Sequence, residues 1–205
     1  MARLKEILKA YFRKGEPMQR CEWATKTPGE QEYHDCEWGV PQHDDHILYE
    51  FLILESMQAG LSWRTILQKR ENYRRAYQGF DPLKVSKFGS QEIEEMLQNP
   101  GIIRHRGKLE ASLKATKIFL EIQKEHGSFS TYLWDFVDGK TIHNHRASLS
   151  EIPVTTALSE QLSKELKKRG MKFFGSTTAY AFLQAIGVVN DHVVTCFRHQ
   201  ELMKL

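Results

Sequence analysis

Four side chains that bind transition metals stand as two pairs towards opposite ends of this 205-residue chain. Cys21 and His34 lie near the start, and His192 and Cys196 lie near the end. If "GVVNDHVVTC" is helical, residues four apart meet on one face, which places an imidazole beside a thiol. Zinc takes thiolate and imidazole ligands in a tetrahedral arrangement. The two pairs therefore predict a Cys2His2 zinc site, with Cys36 as an alternative to Cys21.

A centre with four protein ligands has no open position for a reactive water, so the predicted zinc is structural. It would tie the N-terminal segment to the C-terminal helix. A zinc hydrolase, which needs an open position, is the alternative. Three cysteines are too few, and odd in number, for a disulfide framework. The run "HDDH" resembles a metal motif, but we expect a polar helix start capped by Asp44 or Asp45.

One carboxylate stands among apolar and aromatic residues. Glu55 is the only acid in "FLILESMQAGLSW", with Tyr33, Trp38 and Trp63 near it in sequence and Trp23 further off. An indole face attracts cations, and a carboxylate strengthens the hydrogen bonds that it accepts. Such a set suits a flat, positively charged ligand. The alternative is that Glu55 points to solvent from the polar face of its helix.

A basic hairpin forms a third candidate site. The stretch "LKKRGMKFFGSTTAYAFLQAIG" predicts a helix, a tight turn and a helix, with Gly170 and Gly175 in the turn and Ser176 opening the second helix. Free N–H groups at that helix start suit a phosphate oxygen. Sequence-independent attraction would come from three cations: Lys168, Arg169 and Lys172. A second glycine-centred basic run, "IIRHRGK", also favours phosphate contact, whereas the alternative is an ordinary corner between helices.

The elements that must position these residues are predicted to be helical. Apolar residues recur at helical spacing through most of the chain; Ser62 and Asp81 are expected N-caps, and a last helix is expected from about Asn190. No alternating strand pattern is present, so the predicted fold class is all-α. Residues 138–156 are expected to form a loop, and residues 1–19 a basic helical extension. The absence of a long apolar run or a secretory signal predicts a cytoplasmic protein.

Ordered blocks across most of the chain carry a family resemblance. From Cys21 to Cys196 they are "CEW", "YHDCEWGVP", "FLILESMQAGLSW", "LQKRENYRRAY", "GIIRHRGK", "LKKRGMKFFG" and "GVVNDHVVTC". Together they resemble the constitutive 3-methyladenine DNA glycosylase I family of the helix-hairpin-helix DNA glycosylases. The resemblance implies one glycosylase domain at residues 20–205, with the helix-hairpin-helix near residues 164–190.

The resemblance also implies a ligand set for the metal. In that family a zinc ion joins the two ends of the chain through Cys, His, His and Cys. The corresponding residues here are those of the two pairs: Cys21, His34, His192 and Cys196. Cys21 is thereby favoured over Cys36, and one structural zinc ion per chain is expected.

Roles for the aromatic cluster follow from the same resemblance. Glu55 and Tyr33 would hydrogen-bond the damaged base, and Trp63 would stack on it. Trp38 and Trp23 would form the pocket wall. The gap that the base leaves in the DNA would be filled from one loop: Gly60 and Leu61.

The activity implied is base-excision repair by a monomeric enzyme. It would flip 3-methyladenine out of double-stranded DNA, hydrolyse the N-glycosidic bond, and leave an abasic site and the free base. Many relatives in the superfamily place an Asp where this chain has Asn190, with Asp191 one residue later, so the cationic base must itself be the good leaving group. No lysine stands where a Schiff-base nucleophile is expected, which predicts no strand cleavage. The alternative is a non-catalytic, zinc-stabilised module that binds damaged DNA.

Overall fold

The computed structural model of the protein describes residues 19–205, which are mostly helical, as predicted. The expected extension at residues 1–19 lies outside the described residues, except for its last residue. The α-helices are α1 (Pro28–Cys36), α2 (Asp45–Gln58), α3 (Trp63–Ala76), α4 (Pro82–Val85), α5 (Ser90–Gln98), α6 (Arg106–His126), α7 (Phe129–Trp134), α8 (Ala157–Lys168), α9 (Ser176–Ala185) and α10 (Phe197–Leu202). Within residues 19–205, no helix is both long and apolar enough to cross a membrane.

Side-chain caps fix where several helices begin. Ser62 caps α3 by accepting a hydrogen bond from the N–H of Thr65, and Asp81 caps α4 by accepting from two N–H groups. Asp44 caps α2 by accepting from the N–H of His46. Each cap satisfies backbone donors that the first helical turn leaves without partners. The predicted caps are confirmed, and "HDDH" is a helix start.

Helix α2 forms the centre of the core because it is apolar around most of its circumference. Every residue from Leu48 to Met57 is buried. A helix of this kind needs partners on all sides. Helices α3, α6, α7 and α9 supply them. The same packing encloses Glu55, which lies in the last turns of α2.

The C-terminal segment departs from the sequence prediction. A two-residue strand, β1 (Ile142–His143), pairs in parallel with β2 (Val189–Asn190), and Arg146 continues the pairing with Val193. Helix α10 begins only after Cys196, whose backbone is extended. The expected helix from Asn190 is therefore wrong. The β-branched valines favour extended backbone, and the partner segment lies in the predicted loop at 138–156.

The predicted helical hairpin is confirmed. Helix α8 ends at Lys168 and α9 begins at Ser176, with Gly170 at φ +95° in the turn between them. The Ser163 hydroxyl donates to the carbonyl of Phe174 at 2.9 Å, which ties the turn back to α8. Phe173 adopts φ +56°, a left-handed conformation that is uncommon for a bulky side chain.

Candidate functional site

The two predicted metal-ligand pairs meet in one buried cluster. Its ligand atoms all lie within 4.8 Å of one another: Cys21, His34, His192 and Cys196. Cys196 Sγ lies 3.4 Å from His34 Nε2 and 3.5 Å from His192 Nδ1, and Cys21 Sγ lies 3.7 Å from that same Nδ1. A tetrahedral ion with bonds of about 2.0–2.3 Å separates its ligand atoms by about 3.3–3.8 Å. The donor set and its spacing therefore fit one metal ion.

Outer partners orient both imidazoles. His34 Nδ1 contacts Asp35 Oδ1 at 2.8 Å, and Arg20 donates to both oxygens of that carboxylate. His192 Nε2 donates to the backbone carbonyl of Trp38 at 3.0 Å. Because these contacts occupy one nitrogen of each ring, the other nitrogen of each ring faces the sulfur atoms. Carboxylate and carbonyl contacts of this kind fix the orientation of metal-binding histidines.

The pKa shifts differ within the cluster: those of Cys196 and His192 move towards the metal-binding forms, whereas the pKa values of Cys21 and His34 are raised. The pKa of the Cys196 thiol is lowered, chiefly because Cys21 hydrogen-bonds to it and further because both imidazoles contact it. Burial lowers the pKa of His192. Thiolate and neutral imidazole are the metal-binding forms of these side chains. Cys36 lies outside the cluster, only partly buried, so the structure brings Cys21 and not Cys36 to the site.

A pocket of about 330 Å³ lies beside the metal cluster. The residues that line it are Trp23, Tyr33, Trp38, Glu55, Gln58, Trp63, Leu149, Ile152, Ala181 and Gln184. Two tryptophans line the pocket and also contact histidines of the metal cluster. The Trp23 ring centroid lies 5.4 Å from that of His34, and the Trp38 ring centroid lies 4.5 Å from that of His192. The metal cluster therefore supports one wall of the pocket.

Glu55 lines this pocket and does not face bulk solvent. Only 3% of the residue is exposed, and its Oε2 has no hydrogen-bond partner among residues 19–205. Burial raises the pKa of its carboxyl to about 8. The alternative that Glu55 only points to solvent is therefore wrong. A buried polar atom without a partner destabilises the fold, so this oxygen is an acceptor available to a ligand.

Aromatic rings and polar hydrogens surround that carboxyl. The Tyr33 and Trp63 ring centroids lie 5.2 Å apart, with their planes inclined by 47°. The pKa of Tyr33 is raised well above its usual value, first by burial and then by Glu55, so its hydroxyl keeps its proton. Trp63 Nε1 is buried and has no acceptor within the described part of the chain. The pocket thus offers flat apolar faces, one acidic acceptor and two donors.

The loop after α2 contains the residues predicted to enter DNA. Gly60 adopts φ +78°, and Leu61 is 40% exposed. Lys108 holds the start of this loop by two hydrogen bonds. Its Nζ donates to the carbonyls of Met57 at 2.9 Å and Ala59 at 2.6 Å. The basic run "IIRHRGK" therefore contributes a buried lysine that caps the end of α2. For Lys108, the expected phosphate contact is wrong.

The cations of the hairpin differ in whether they form ion pairs with acidic side chains of the protein. Arg169 makes two hydrogen bonds to Glu125, one of them at 2.6 Å. Lys168 pairs with Glu165 at 2.7 Å across one exposed helical turn. Lys172 is exposed and has no ion pair with any residue that the structure describes. Among the three predicted DNA-contacting cations, Lys172 is the one most available to a phosphate.

The start of α9 is open in the way that the sequence predicts. Gly175 is its N-cap and has no side chain that could accept a hydrogen bond, so the first N–H groups, from Ser176 onwards, donate to no capping side chain. Phe173, in the turn before it, contacts the His105 ring at 5.8 Å between centroids and lies 6.0 Å from Lys108 Nζ. The two basic runs of the sequence therefore meet at one surface around Phe173.

Sequence reasoning missed several residues of the pocket: Gln58, Leu149, Ile152, Ala181 and Gln184. Leu149 and Ile152 lie in the predicted loop at 138–156, where no periodicity indicates a packing partner. Gln184 offered one signal, since it is a polar residue in the mostly apolar C-terminal half of α9. Ala181 lies three residues before it and therefore on the same helical face.

Asn190 and Asp191, which the sequence analysis compared with a superfamily Asp, lie away from the pocket. Asn190 and Asp191 are both fully buried, and neither lines the pocket. The Asn190 side chain accepts from the N–H of His192 and donates to the carbonyl of His199. Asp191 accepts hydrogen bonds from several neighbours, including the partly buried Gln184. Of the acids in the described residues, Glu55 is the one that lines the pocket.

Comparison with known proteins agrees with this architecture. A sequence model of the family described as Methyladenine glycosylase matches residues 23–199. DNA-3-methyladenine glycosylase 1 of Escherichia coli (strain K12) is 47% identical over 179 residues, which cover 87% of this chain and 96% of that protein.

Solved structures match over the same extent. A crystal structure of 3-methyladenine DNA glycosylase I matches with a TM-score of 0.85 at 47% identity, covering 87% of this chain and 98% of that one. The Staphylococcus aureus enzyme, whose structure addresses 3-methyladenine recognition, matches with a TM-score of 0.85 at 40% identity, covering 89% of this chain and 97% of its own. By sequence and by fold, this chain belongs to the methyladenine glycosylase family.

Proposed function

We propose that this chain is a DNA glycosylase that excises 3-methyladenine from double-stranded DNA. The family and the names of its relatives support this activity. The structural observation that carries it is the buried Glu55 Oε2, which has no partner within residues 19–205 and lines a pocket walled by aromatic rings. Such a pocket suits a flat base that has left the DNA stack.

Charge distinguishes the damaged base from a normal one. 3-Methyladenine within DNA is a delocalised cation, whereas adenine is neutral. With a pKa of about 8, Glu55 is mostly protonated in the empty pocket at pH 7. A cation beside it favours the carboxylate, so binding of the lesion and loss of the Glu55 proton to solvent are coupled. The resulting ion pair and the attraction between cation and indole stabilise only the charged base.

Each part of the pocket then has a proposed role. Glu55 accepts from the amino group of the base, Tyr33 donates to a ring nitrogen, and Trp63 stacks on the ring. Trp38 and Trp23 close the wall. The loop proposed to fill the gap in the DNA is Gly60 and Leu61.

The leaving group explains how one acid suffices. A cationic base leaves its sugar more readily than a neutral base, so the enzyme must mainly hold the flipped nucleotide, admit water and exclude other bases. Asp191 is buried away from the pocket and Lys108 is held by two carbonyls, so neither is offered as a nucleophile. We propose hydrolysis to free 3-methyladenine and an abasic site, without strand cleavage.

The hairpin is proposed to hold the DNA backbone. The open start of α9 at Ser176 suits a phosphate, because helix N-termini attract anions. Lys172 would add attraction that does not depend on base sequence, and Lys168 and Arg169 would add less because acidic partners already hold them. On this basis we also propose that α8 and α9 form a helix-hairpin-helix motif like that of the helix-hairpin-helix DNA glycosylases.

We propose zinc as the ion of the Cys2His2 cluster, since two thiolates and two imidazoles are a set that zinc prefers. The four ligands leave no open position, so the ion would supply structural support rather than a reactive water. Its residues would hold the segment after Cys21 against the segment that ends at Cys196. One catalytic domain at residues 20–205, monomeric action and a cytoplasmic location remain predictions.

Base release tests the proposed function. Duplex DNA treated with a methylating agent is incubated with the purified protein, and the soluble bases are separated by chromatography. We expect free 3-methyladenine, abasic sites and intact strands. Affinity for methylated DNA without any released base would instead favour the alternative, a non-catalytic module that binds damaged DNA.

A further inference from the structure

The amide of Gln184 has a fixed orientation at the pocket wall. Gln184 lines the pocket, and its Nε2 donates to Asp191 Oδ2 at 2.7 Å. The two atoms of a glutamine amide are distinguished by their partners, and only the nitrogen can donate to a carboxylate. The remaining polar atom, Oε1, therefore points away from Asp191. No residue of the described chain donates a hydrogen bond to it.

Asp191 is itself held from several sides, which makes the orientation of Gln184 rigid. It is fully buried and accepts hydrogen bonds from the Tyr180 hydroxyl and, at 2.8 Å, from Asn144 Nδ2. A flip of the Gln184 amide would place its oxygen against a carboxylate oxygen and break the hydrogen bond. Both changes are unfavourable in a buried setting, so the pocket meets an acceptor at this position.

We propose that Gln184 is a base-recognition residue and that Asp191 positions it. The inference rests on the proposed function, because it assigns Gln184 a contact with the flipped lesion. The amino group at N6 carries the only N–H hydrogens of 3-methyladenine in DNA. It has two of them, so one is available for Glu55 and the other for Gln184 Oε1. With this assignment, one N–H of the base donates to the buried Glu55 Oε2, which otherwise has no partner within residues 19–205. The other N–H donates to Gln184 Oε1, whose orientation is fixed by Asp191.

The arrangement also predicts which lesions are disfavoured. A methylated guanine presents an oxygen at the position where adenine has its amino group. Glu55 and Gln184 would then both face an acceptor, and each would be left without its hydrogen bond. Sites that lose buried hydrogen bonds in this way discriminate strongly between ligands of the same shape. Gln184 is therefore a specificity determinant as well as a contact.

The test compares two free bases that differ only in the amino group: 3-methyladenine and 3-methylpurine. Their binding is followed by the fluorescence of the pocket tryptophans. In Gln184→Met, which keeps the length of the side chain but removes the amide oxygen, we expect the affinity for 3-methyladenine to fall about tenfold. Because 3-methylpurine has no amino group to donate, its affinity should change less than twofold. A loss confined to one base would not arise from a general packing defect.

A matched substitution controls for the loss of an amide–carboxylate hydrogen bond. Gln123 Nε2 donates to Asp45 Oδ2 at 2.6 Å and does not line the pocket. Gln123→Met should therefore bind both bases as the wild type does. Thermal melting and metal content establish that each variant is folded, and Gln184→Ala provides a smaller second replacement.

Two results would overturn the assignment of Gln184. One is unchanged affinity for 3-methyladenine in both Gln184 variants. The other is an equal loss of affinity for both bases. A different result, wild-type protein that releases no 3-methyladenine from DNA, would contradict the proposed function, so the two failures are distinguishable.

Discussion

Trp38 connects the metal cluster to the pocket through His192. The His192 Nε2 donates to the Trp38 carbonyl at 3.0 Å, and the two ring centroids lie 4.5 Å apart with the planes inclined by 70°. The indole of Trp38 also lines the pocket. Because Trp38 contacts His192 and also lines the pocket, we expect the position of this pocket wall to depend on the order of the cluster. The proposed structural metal would therefore affect recognition of the base without touching it.

Removal of a metal ligand should affect both stability and binding. We expect Cys196→Ser to lose the proposed metal and to lower the midpoint of thermal unfolding markedly, because metal binding contributes directly to folding in such sites. Binding of 3-methyladenine should weaken as the Trp38 wall loosens. Elemental analysis, melting and tryptophan fluorescence measure the three effects. Cys36→Ser is the matched control and should retain metal, stability and binding; an equal effect of both substitutions would contradict the assignment of the cluster.

Glu55 should make stability depend on pH. Its folded pKa of about 8 lies above its ordinary value of 4.5, so folding favours the protonated form. The folded protein binds this proton more tightly than the unfolded chain does. The stability that the protonated Glu55 contributes is therefore fully present below pH 4.5 and is lost as the pH rises through about 8.

The variant Glu55→Gln should not show that loss. Between pH 4 and pH 9, we expect its free energy of unfolding to increase relative to the wild type by on the order of 5 kcal/mol. Urea unfolding across that pH range measures the difference, in which the titration of other groups largely cancels. Glu110→Gln, at an exposed position, should follow the wild type. Parallel curves for Glu55→Gln and the wild type would mean that Glu55 is not buried as described.

Lys108 should stabilise the loop that contains Gly60 and Leu61. Lys108→Met keeps most of the apolar stem but removes both hydrogen bonds to the carbonyls at the end of α2. Buried carbonyls that lose a donor destabilise a protein, here by about 1–3 kcal/mol. Urea unfolding should show this loss, and affinity for DNA should fall as well. Lys117→Met, exposed on the same helix, is expected to leave both unchanged; a similar change in the two variants would argue against the supporting role.

The hairpin cations should differ in their contribution to DNA binding. Lys172→Gln should weaken binding to all DNA sequences and reduce the slope of log K against log salt by about 0.9. Arg169→Gln should change that slope less, because Glu125 already holds the guanidinium. Fluorescence anisotropy over a range of salt concentrations measures both slopes. A larger change for Arg169→Gln than for Lys172→Gln would reverse the assignment.

The sequence was sufficient to predict the features that depend on local patterns. The caps at Ser62 and Asp81 follow from residue types next to an apolar period, and the hairpin follows from glycines between two helical stretches. The metal pairs could be predicted because thiols and imidazoles are few. Their coming together required the fold, since His34 and His192 lie far apart in sequence.

Other features depend on distant pairing and could not be predicted in this way. The extended segment at Val189 is stabilised by Ile142 of the loop before α8, and two residues show no alternation that indicates a strand. The polar character of Gln184 could be seen in the sequence, but its orientation depends on Asp191 and thus on the C-terminal segment. The charge of Lys108 indicated a contact with a DNA phosphate. In the fold, its ammonium group instead donates to the backbone carbonyls of Met57 and Ala59.

The most direct test of the account is the rate at which Glu55→Gln excises 3-methyladenine from duplex DNA under single-turnover conditions. A neutral amide cannot form the ion pair with a cationic base, and loss of one such charge contact slows enzymes by about a hundredfold or more. We predict a loss of at least that size, with the metal retained and the fold intact by melting. Excision by Glu55→Gln at the wild-type rate would contradict the claim that this pocket recognises the positive charge of the damaged base.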